Sequence, residues 1–383
     1  MVKRVVIVED DYIIQELHKH YVENLKHQVV GCFSSGEEAI EFFNHNSADL
    51  ILMDIRLETS IDGIETMKQI QEIQSVPVVY ITGNTEEVNL KRALNTGMRG
   101  FLSKPIGPKD LEDIIDSINS LNDSILYAER IQKAIFPQKQ EVHRIFQHGI
   151  YINRPKDIIS GDFSFLVPKK KQKHLIGGIG DCTGHGIPAA LLSVLCHEIV
   201  STNSKKYDDL RKIIFKLNES IRRNLSRLDK AHTVSDGLDL IIFKIIPDLN
   251  IIEIAGIKRP YIHYKHSENK FEFNALKGKS IGEIFENETE VPFETLSYEK
   301  GDCFYFFSDG ITDQFGGPEG RKLMKIRLLE FLAKSTEMPE ETREIELELF
   351  LRKWQANNEQ TDDMILMGIC PSKLNTKFIT SKN

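Results

Sequence analysis

Short apolar runs alternate with amphipathic segments over the first 120 residues. The runs at 5–8, 50–53 and 76–81 are rich in β-branched residues and predict strands. Helical periodicity follows at 13–25, 37–43, 63–74 and 86–95. Strands that alternate with helices are typical of a parallel sheet covered on both faces. We therefore predict a doubly wound α/β domain over residues 1–120.

A different pattern follows between residues 109 and 136, which contain no Gly or Pro. Spacings of three and four alternate there through Leu111, Ile114, Ile118, Leu121, Ile125, Ala128, Gln132 and Ile135. This period predicts a coiled-coil linker helix, overlapping the last helix of the first domain, that pairs with its copy in a homodimer and ends before Pro137. Gln132 would then help to set the register. The alternative is an amphipathic helix that packs on its own domain.

From about residue 145 the extended runs come as neighbours joined by short turns, at 175–180, 238–246, 251–255 and 303–307. Such neighbours predict antiparallel pairing. Helical stretches lie between them at 189–200, 208–228, 321–333 and 340–354. We predict an α/β sandwich of two antiparallel sheets flanked by helices over 145–371, followed by a flexible tail at 372–383.

Composition is that of a soluble globular protein of two domains and a connector, with 383 residues, 40% apolar and 28% charged. The net charge of -8 gives no electrostatic footprint for nucleic acid or an anionic membrane. The five cysteines are scattered and argue against a disulfide frame or a zinc ribbon. With neither a signal peptide nor a membrane-length apolar stretch, we expect a cytoplasmic protein without direct membrane insertion.

Chemistry-bearing residues follow the predicted strands of the first domain. Glu9 and Asp10 come after the first run, Asp54 after the third, Thr82 after the fourth, and Lys104 precedes Pro105. Ligands collect at the carboxyl ends of strands in such sheets. Acids, a hydroxyl and a lysine together predict a site for Mg²⁺ and a phosphoryl group, with Asp54 as nucleophile.

At these positions the chain resembles the receiver domain of two-component response regulators, which have a flavodoxin-like fold. The resemblance makes Asp54 the phosphoacceptor for a sensor histidine kinase or phosphotransfer protein. The Mg²⁺ ligands that it implies are Glu9, Asp10, Asp54 and the backbone carbonyl of Arg56. The switch residues that it implies are Thr82, Lys104 and Phe101.

Four aspartates in the second half each lie where an apolar run meets a turn, namely Asp162, Asp181, Asp309 and Asp362. Two carboxylates about 4 Å apart repel by about 4 kcal/mol at an effective dielectric near 20, so a convergent set without matching bases implies bound cations. Hard oxygen ligands favour Mg²⁺ or Mn²⁺, and paired ions are a recurrent solution for displacement at phosphorus. The predicted substrate is a phosphate ester.

The motifs around these aspartates, Ser-Gly-Asp-Phe at 160–163, Gly-Asp-Cys-Thr-Gly-His-Gly at 180–186, Ser-Asp-Gly at 308–310 and Thr-Asp-Asp-Met at 361–364, resemble those of PPM-type serine/threonine phosphatases. The SpoIIE-like branch is the most similar. The resemblance implies two Mn²⁺ or Mg²⁺ ions held by Asp162, Asp181, the backbone carbonyl of Cys182, Asp309 and Asp362. It also implies in-line attack of water on phosphorus without a covalent enzyme intermediate.

Several accessory positions have two interpretations. His185 either polarises the leaving oxygen or sits in a glycine-rich turn, and Asp363 is an alternative ligand to Asp362. Lys258 and Arg259 either hold the substrate phosphate or form a solvated turn.

The predicted function is a response regulator whose phosphatase output is controlled through Asp54 and acts on a phosphoserine or phosphothreonine protein. By family resemblance, that substrate would be an anti-sigma-factor antagonist in a partner-switching pathway. The alternatives are a catalytically silent phosphoprotein-binding module and a DNA-binding regulator, although no basic recognition helix is evident in the sequence.

Overall fold

A computed structural model of the chain describes residues 2–58, 60–83, 92–93, 96, 98–184, 186–225 and 237–380, without the side chains of residues 122 and 225. The chain divides into two compact units, Met1–Ser124 and Ile125–Asn383. Each unit has the α/β architecture that the hydrophobic pattern predicted, so the predicted fold class is confirmed.

The described part of the first unit contains a five-stranded parallel sheet in the order β2-β1-β3-β4-β5. Its strands are β1 (Arg4–Val8), β2 (Gln28–Phe33), β3 (Leu50–Asp54), β4 (Val78–Thr82) and β5 (Met98–Ser103). Its first three helices are α1 (Tyr12–Asn24), α2 (Gly36–His45) and α3 (Gly63–Ile73). Strands β3 and β4 are buried along their whole length because helices cover both faces, which explains their unbroken apolar runs. The helix predicted at 86–95 lies largely outside the described residues.

The linker helix, α4 (Pro108–Ile135), is continuous as predicted. Its predicted seam does not lie on one exposed face. Leu111 and Ile118 are buried in the core of the first unit, whereas Gln132 is buried in the second. Gln132 therefore does not set a dimer register, and the alternative of packing on the chain's own domains describes these positions better.

The described part of the second unit contains two five-stranded sheets, in the orders β13-β10-β9-β8-β7 and β12-β11-β14-β17-β6, whose assigned pairs are all antiparallel. The first sheet is built from β7 (Asp162–Lys169), β8 (His174–Cys182), β9 (Leu238–Ile246), β10 (Ile251–Ile257) and β13 (Phe293–Ser297). The second is built from β6 (Ile150–Arg154), β11 (Pro260–Lys265), β12 (Lys270–Ala275), β14 (Cys303–Phe307) and β17 (Met364–Ile369). A small ribbon pairs β15 (Phe315–Gly316) with β16 (Arg321–Lys322).

Helices in the second unit cover both sheets. They are α5 (Lys139–Ile145), α6 (Ile187–Lys206), α7 (Leu210–Leu225), α8 (Asp309–Asp313), α9 (Met324–Ser335), α10 (Arg343–Gln355) and α11 (Lys377–Thr380). Single 3-10 turns occupy Pro247–Leu249, Glu288–Glu290, Glu340–Thr342 and Pro371–Lys373. A core of inward side chains joins the two sheets, with Phe243 of the first stacked on Phe306 of the second at 5.0 Å between ring centroids.

Two expectations about the second unit are wrong. Cys303 and Cys370 form a disulfide, because they extend the β14–β17 pairing by one residue although 67 residues separate them in sequence. The predicted flexible tail is ordered through residue 380, since Leu374 and Ile379 are buried in the core. No helix among the described residues is long and apolar enough to cross a membrane.

Candidate functional site

The predicted receiver residues meet at the carboxyl ends of the parallel strands. One carboxylate oxygen from each of Glu9, Asp10 and Asp54 lies within 4.8 Å of the others. The Lys104 ammonium is 2.5 Å from Asp54 Oδ2 and 2.7 Å from Glu9 Oε2. The geometry is that of a compact acidic cup with one lysine on its side.

Backbone contacts shape this cup. The amide of Arg56 donates to Asp54 Oδ1 at 3.0 Å, and the amide of Lys104 donates to the carbonyl of Thr82 at 2.9 Å. Thr82 is buried, and Phe101 is half-buried against the core on β5, beside Tyr80 of β4. The predicted receiver residues therefore lie at the carboxyl ends of the strands, except Phe101, which lies within β5.

Burial raises the pKa of Glu9 to about 7, the hydrogen bond from Lys104 opposes this rise, and the charge of Asp54 adds to it. The cup therefore holds more negative charge than its single lysine balances, which favours a cation.

Three aspartates form a row across the first sheet of the second unit. Asp162 begins β7 opposite Asp181 in β8, and Asp181 is opposite Asp239 in β9. Directly paired residues of antiparallel neighbours project from the same face, so their like charges repel. Asp239 is a member that the sequence analysis missed.

The second sheet supplies three more aspartates from the ends of two paired strands. Asp309 begins α8 just after β14, and Asp362 and Asp363 directly precede β17. Both carboxylate oxygens of Asp363 accept backbone hydrogen bonds at 2.7 Å, from the amides of Lys156 and Gly161. Asp363 is thus engaged in holding the loop before β7, whereas the carboxylate of Asp362 accepts only from the Asp363 amide, at 2.8 Å, among the hydrogen bonds of the described residues.

Close packing explains two glycines of the motifs. A Cβ on Gly310 would lie 2.0 Å from the carbonyl oxygen of Asp363, so only glycine lets the start of α8 approach β17. A Cβ on Gly161 would lie 3.2 Å from the carbonyl oxygen of Cys182. The Cys182 side chain, one residue after Asp181, is fully buried in the core. His185 lies outside the described residues.

The loop that delivers Asp162 is also held by the linker helix. Gln132 donates through Nε2 to the carbonyl of Ser160 at 2.8 Å and accepts through Oε1 from the Ser160 amide at 3.0 Å. Ser193 of α6 donates to the same carbonyl at 2.9 Å. This arrangement connects α4 to a position two residues before Asp162.

Asp162 is the most deeply buried of these carboxyls, with 1% exposure, and both its oxygens lack a hydrogen-bond partner. Burial, then the charge of Asp181, raises its pKa well above the usual range. Burial also raises the pKa of Asp181 to about 7; Arg259 opposes this, and the charges of Asp309, Asp362 and Asp239 add to it. The aspartates of both sheets therefore act on one another electrostatically.

Arg259 occupies the middle of this group. Its side chain is 6% exposed, it contacts Asp181 closely, and its guanidinium lies 3.4 Å from Asp309 and 3.7 Å from Asp239. The solvated turn considered for Lys258 and Arg259 is wrong for Arg259. Lys258 is exposed and has a φ of 55°, so these neighbours have unlike surroundings.

Among the described residues, the receiver cup is the only set of three such ligands whose atoms all meet within 4.8 Å. The aspartates of the second unit surround Arg259 without coming that close. Their donors still fit Mg²⁺ or Mn²⁺, because the set consists of hard oxygens and Asp162 presents two buried oxygens without a partner.

Comparisons with known proteins agree with this division. A family model for the response regulator receiver domain matches residues 5–116. The transcriptional regulatory protein CrdR of Helicobacter pylori is 32% identical over 114 residues, which are 29% of this chain and 53% of CrdR. The uncharacterized transcriptional regulatory protein YcbL of Bacillus subtilis is 33% identical over 105 residues, 27% of this chain and 46% of YcbL. The chain thus spans about half the length of these curated relatives.

The second unit matches a different group of proteins. The SiaA-PP2C domain of Pseudomonas aeruginosa superposes with a TM-score of 0.58 at 22% identity, covering 66% of this chain and 98% of that domain, which shows a shared fold. A family model for Stage II sporulation protein E (SpoIIE) matches residues 171–371, more than half of the chain. The protein therefore belongs to the SpoIIE family and joins a response regulator receiver domain to a SpoIIE-type PPM phosphatase domain.

Proposed function

We propose that this chain is a response regulator whose output is a metal-dependent serine/threonine protein phosphatase. The observation that carries the proposal is the row Asp162, Asp181 and Asp239, faced by Asp309 and Asp362 from the second sheet. Unpartnered buried oxygens on Asp162 call for a cation, since a buried charge is costly unless it is paired.

In this proposal Asp162 and Asp181 hold two Mn²⁺ or Mg²⁺ ions with the backbone carbonyl of Cys182, and Asp309 and Asp362 are direct ligands that complete the coordination of the second ion. When bound, the ions supply positive charge for the phosphoryl oxygens and lower the pKa of water. Asp363 keeps the Asp162 loop in place through its two backbone hydrogen bonds. His185, in the glycine-rich sequence motif that contains Asp181, is a candidate donor to the leaving oxygen.

Control by the receiver is proposed to begin at Asp54, phosphorylated by a sensor histidine kinase or phosphotransfer protein with Mg²⁺ held by Glu9, Asp10 and the Arg56 carbonyl. A phosphoryl group adds about two negative charges. Lys104, already in contact with Asp54, and Thr82 would bind its oxygens, and the segment with Phe101 would follow. The continuous helix α4 is the route by which the change reaches the phosphatase domain.

The proposed substrate is a phosphoserine or phosphothreonine protein, specifically an anti-sigma-factor antagonist in a partner-switching pathway. Membership of the SpoIIE family supports this choice. The transcriptional regulators CrdR and YcbL match only the receiver third of the chain, so their names support no DNA-binding output here.

The test is phosphate release from a serine-phosphorylated anti-sigma-factor antagonist and from p-nitrophenyl phosphate, with Mn²⁺, before and after treatment with acetyl phosphate. Asp181→Asn should abolish release from both substrates. Asp54→Asn should keep basal release and lose the response to acetyl phosphate. Absence of release from both substrates by the wild-type chain, treated or untreated, would reject the phosphatase assignment.

We also propose a homodimer through the linker helix. Leu121, Tyr127 and Ile131 of α4 are each more than 40% exposed, although they are apolar. A second copy of the chain is the proposed partner for this surface. Sedimentation of the full chain at micromolar concentration tests it, and a purely monomeric profile for both the phosphorylated and unphosphorylated protein would contradict it.

The second candidate function is a catalytically silent module that binds a phosphoprotein. Arg259 favours it, because its guanidinium occupies carboxylates that metal ions would need. The same phosphate-release assay distinguishes the candidates, since a silent module would bind the phosphoprotein without turnover.

A further inference from the structure

Arg259 lies at the crossing from one sheet to the other. It is between the end of β10 in the first sheet and the start of β11 in the second. Its guanidinium contacts Asp181 and approaches Asp239, both in the first sheet, and reaches Asp309 at the end of the second. One buried cation therefore joins carboxylates from both sheets.

Asp181 and Asp309 are proposed metal ligands, whereas Asp239 is not. A guanidinium beside Asp181 and Asp309 occupies lone pairs that a divalent ion would use, and its positive charge repels that ion. Cation and arginine must therefore compete for Asp181 and Asp309. Asp239 lies beside Asp181 on the side away from Asp162, so it offers the guanidinium an alternative partner.

The contacts of Arg259 are also incomplete. Its Nε is buried without a hydrogen-bond acceptor, whereas its terminal nitrogens make all of its ion pairs. If the guanidinium had a purely structural role, we would expect its Nε and both terminal nitrogens to donate hydrogen bonds. The two carboxylate oxygens of Asp162, meanwhile, are buried without a hydrogen-bond partner among the described residues.

We propose that Arg259 is a built-in counter-cation that competes with the divalent ions for Asp181 and Asp309 and moves to Asp239 when they bind. This inference rests on the proposed metal-dependent phosphatase function. In the metal-free chain Arg259 offsets the repulsion among the aspartates, and it thereby sets the metal affinity of the site. The alternative is that Arg259 is a fixed support that orients Asp181 for the metal. Replacing Arg259 should strengthen Mn²⁺ binding if it is a competitor and weaken Mn²⁺ binding if it is a support.

The experiment is calorimetric titration of the metal-free full chain with Mn²⁺, with Asp10→Asn in every variant to remove the receiver cup. Arg259→Met should bind Mn²⁺ about tenfold tighter than the parent, because a competitor worth about 1.4 kcal/mol is gone. The metal-free form of this variant should melt at a lower temperature than the metal-free parent. Its melting temperature should also rise more than that of the parent when Mn²⁺ is added. Lys258→Met, at the exposed neighbouring position, should leave both readouts unchanged.

A further single variant, Asp239→Asn, covers the case in which Arg259→Met does not fold. Asp239→Asn removes the alternative partner, so Mn²⁺ should bind about tenfold more weakly. Adding Arg259→Met to Asp239→Asn should restore tight binding if arginine is the competitor, and binding should stay weak if Asp239 is itself a ligand.

Equal or weaker Mn²⁺ binding by folded Arg259→Met would overturn the inference while leaving the phosphatase proposal intact. Unchanged binding by Asp239→Asn would also overturn it. If neither the parent nor any variant takes up Mn²⁺, the inference and the proposed function fail together.

Discussion

In the receiver cup Lys104 approaches Glu9 and Asp54 from one side, whereas in the phosphatase domain Arg259 lies among the carboxylates themselves. The lysine side chain is 21% exposed and leaves three carboxylate oxygens within 4.8 Å of one another. The arginine side chain is 6% exposed and keeps its carboxylates further apart. The position of the protein's own cation thus decides whether an acidic site is already assembled.

This difference has a chemical consequence. Although the flexible Lys104 ammonium contacts Glu9 and Asp54, it leaves one oxygen of each acid close enough to share an ion, so Mg²⁺ binding should need less rearrangement there. A guanidinium in the centre blocks the same oxygens and must move first. The receiver site is therefore expected to bind its ion readily, and the phosphatase site to bind only as tightly as the displacement of Arg259 allows.

The largest expected effect comes from Asp162→Asn. Losing a buried metal ligand should reduce turnover of p-nitrophenyl phosphate about a thousandfold, which is roughly 4 kcal/mol of transition-state stabilisation. The metal-free protein should melt at the same or a higher temperature, because the substitution removes a buried acid whose oxygens have no partner and whose ionised form is disfavoured. Thermal melts with and without Mn²⁺ measure both effects. A lower metal-free melting temperature would show that the Asp162 carboxylate is already compensated.

Substitutions of the adjacent acids Asp362 and Asp363 should have clearly different effects. Asp363→Asn places an amide nitrogen against a backbone amide, so it should destabilise the phosphatase domain by about 3 kcal/mol. Asp362→Asn should instead lose Mn²⁺ binding with little change in metal-free stability. Urea unfolding and calorimetry on the two variants test this, and interchanged outcomes would make Asp363 the ligand.

Glu9→Gln probes the receiver side of the comparison through pH. The pKa of Glu9 is raised from 4.5 to about 7 in the folded chain. Stability from the protonated form is thus fully present below pH 4.5 and is lost as the pH rises through about 7. The variant should remove this loss, which is up to roughly 3 kcal/mol.

Hydrogen exchange of the β1 and β3 amides measures this pH dependence of stability. It is followed in the metal-free full chain from about pH 5 to pH 8 and corrected for intrinsic exchange rates. Glu23→Gln, at an exposed position of α1, is the matched control. Equal pH dependence in Glu9→Gln and the wild type would mean that Lys104 fully compensates the buried carboxyl.

The contrast between the sites also shows what a sequence can predict. Strand ends could be predicted because the apolar runs stop there. Glu9, Asp54, Asp162 and Asp181 were placed correctly at or next to the ends of strands in this way. The pairing register of β8 and β9 could not be predicted from the sequence, and only that register brings Asp239 opposite Asp181. A lone acid between Leu238 and Leu240 was the available signal.

Arg259 was misjudged because Lys258-Arg259 has the composition of a turn. The backbone makes the difference: Lys258 adopts a left-handed conformation, and the next side chain then enters the protein. The Cys303–Cys370 disulfide and the buried segment after residue 371 were missed for a different reason, since both depend on pairing between segments far apart in sequence.

Gln132 illustrates the remaining ambiguity, and its substitution is the smallest effect expected. A spacing of three and four residues describes both a dimer seam and a helix packed on its own domain, and Gln132 proves to bind Ser160. Gln132→Leu leaves the Ser160 carbonyl bonded to Ser193 but strands the Ser160 amide, at a cost of about 1 to 2 kcal/mol. Because Ser160 precedes Asp162 by two residues, Mn²⁺ should bind a few-fold more weakly in the phosphatase domain.

The receiver cup should be unaffected by this substitution, so acetyl phosphate should still label Asp54 at the wild-type rate. Arg130→Leu, at an exposed position of the same helix, controls for the general effect of an added leucine. If Gln132→Leu and Arg130→Leu have the same Mn²⁺ affinity and the same stability, the hydrogen bonds to Ser160 do not position Asp162. In that case α4 would have to act on the site through packing alone, by way of α6, whose Ser193 contacts the same carbonyl.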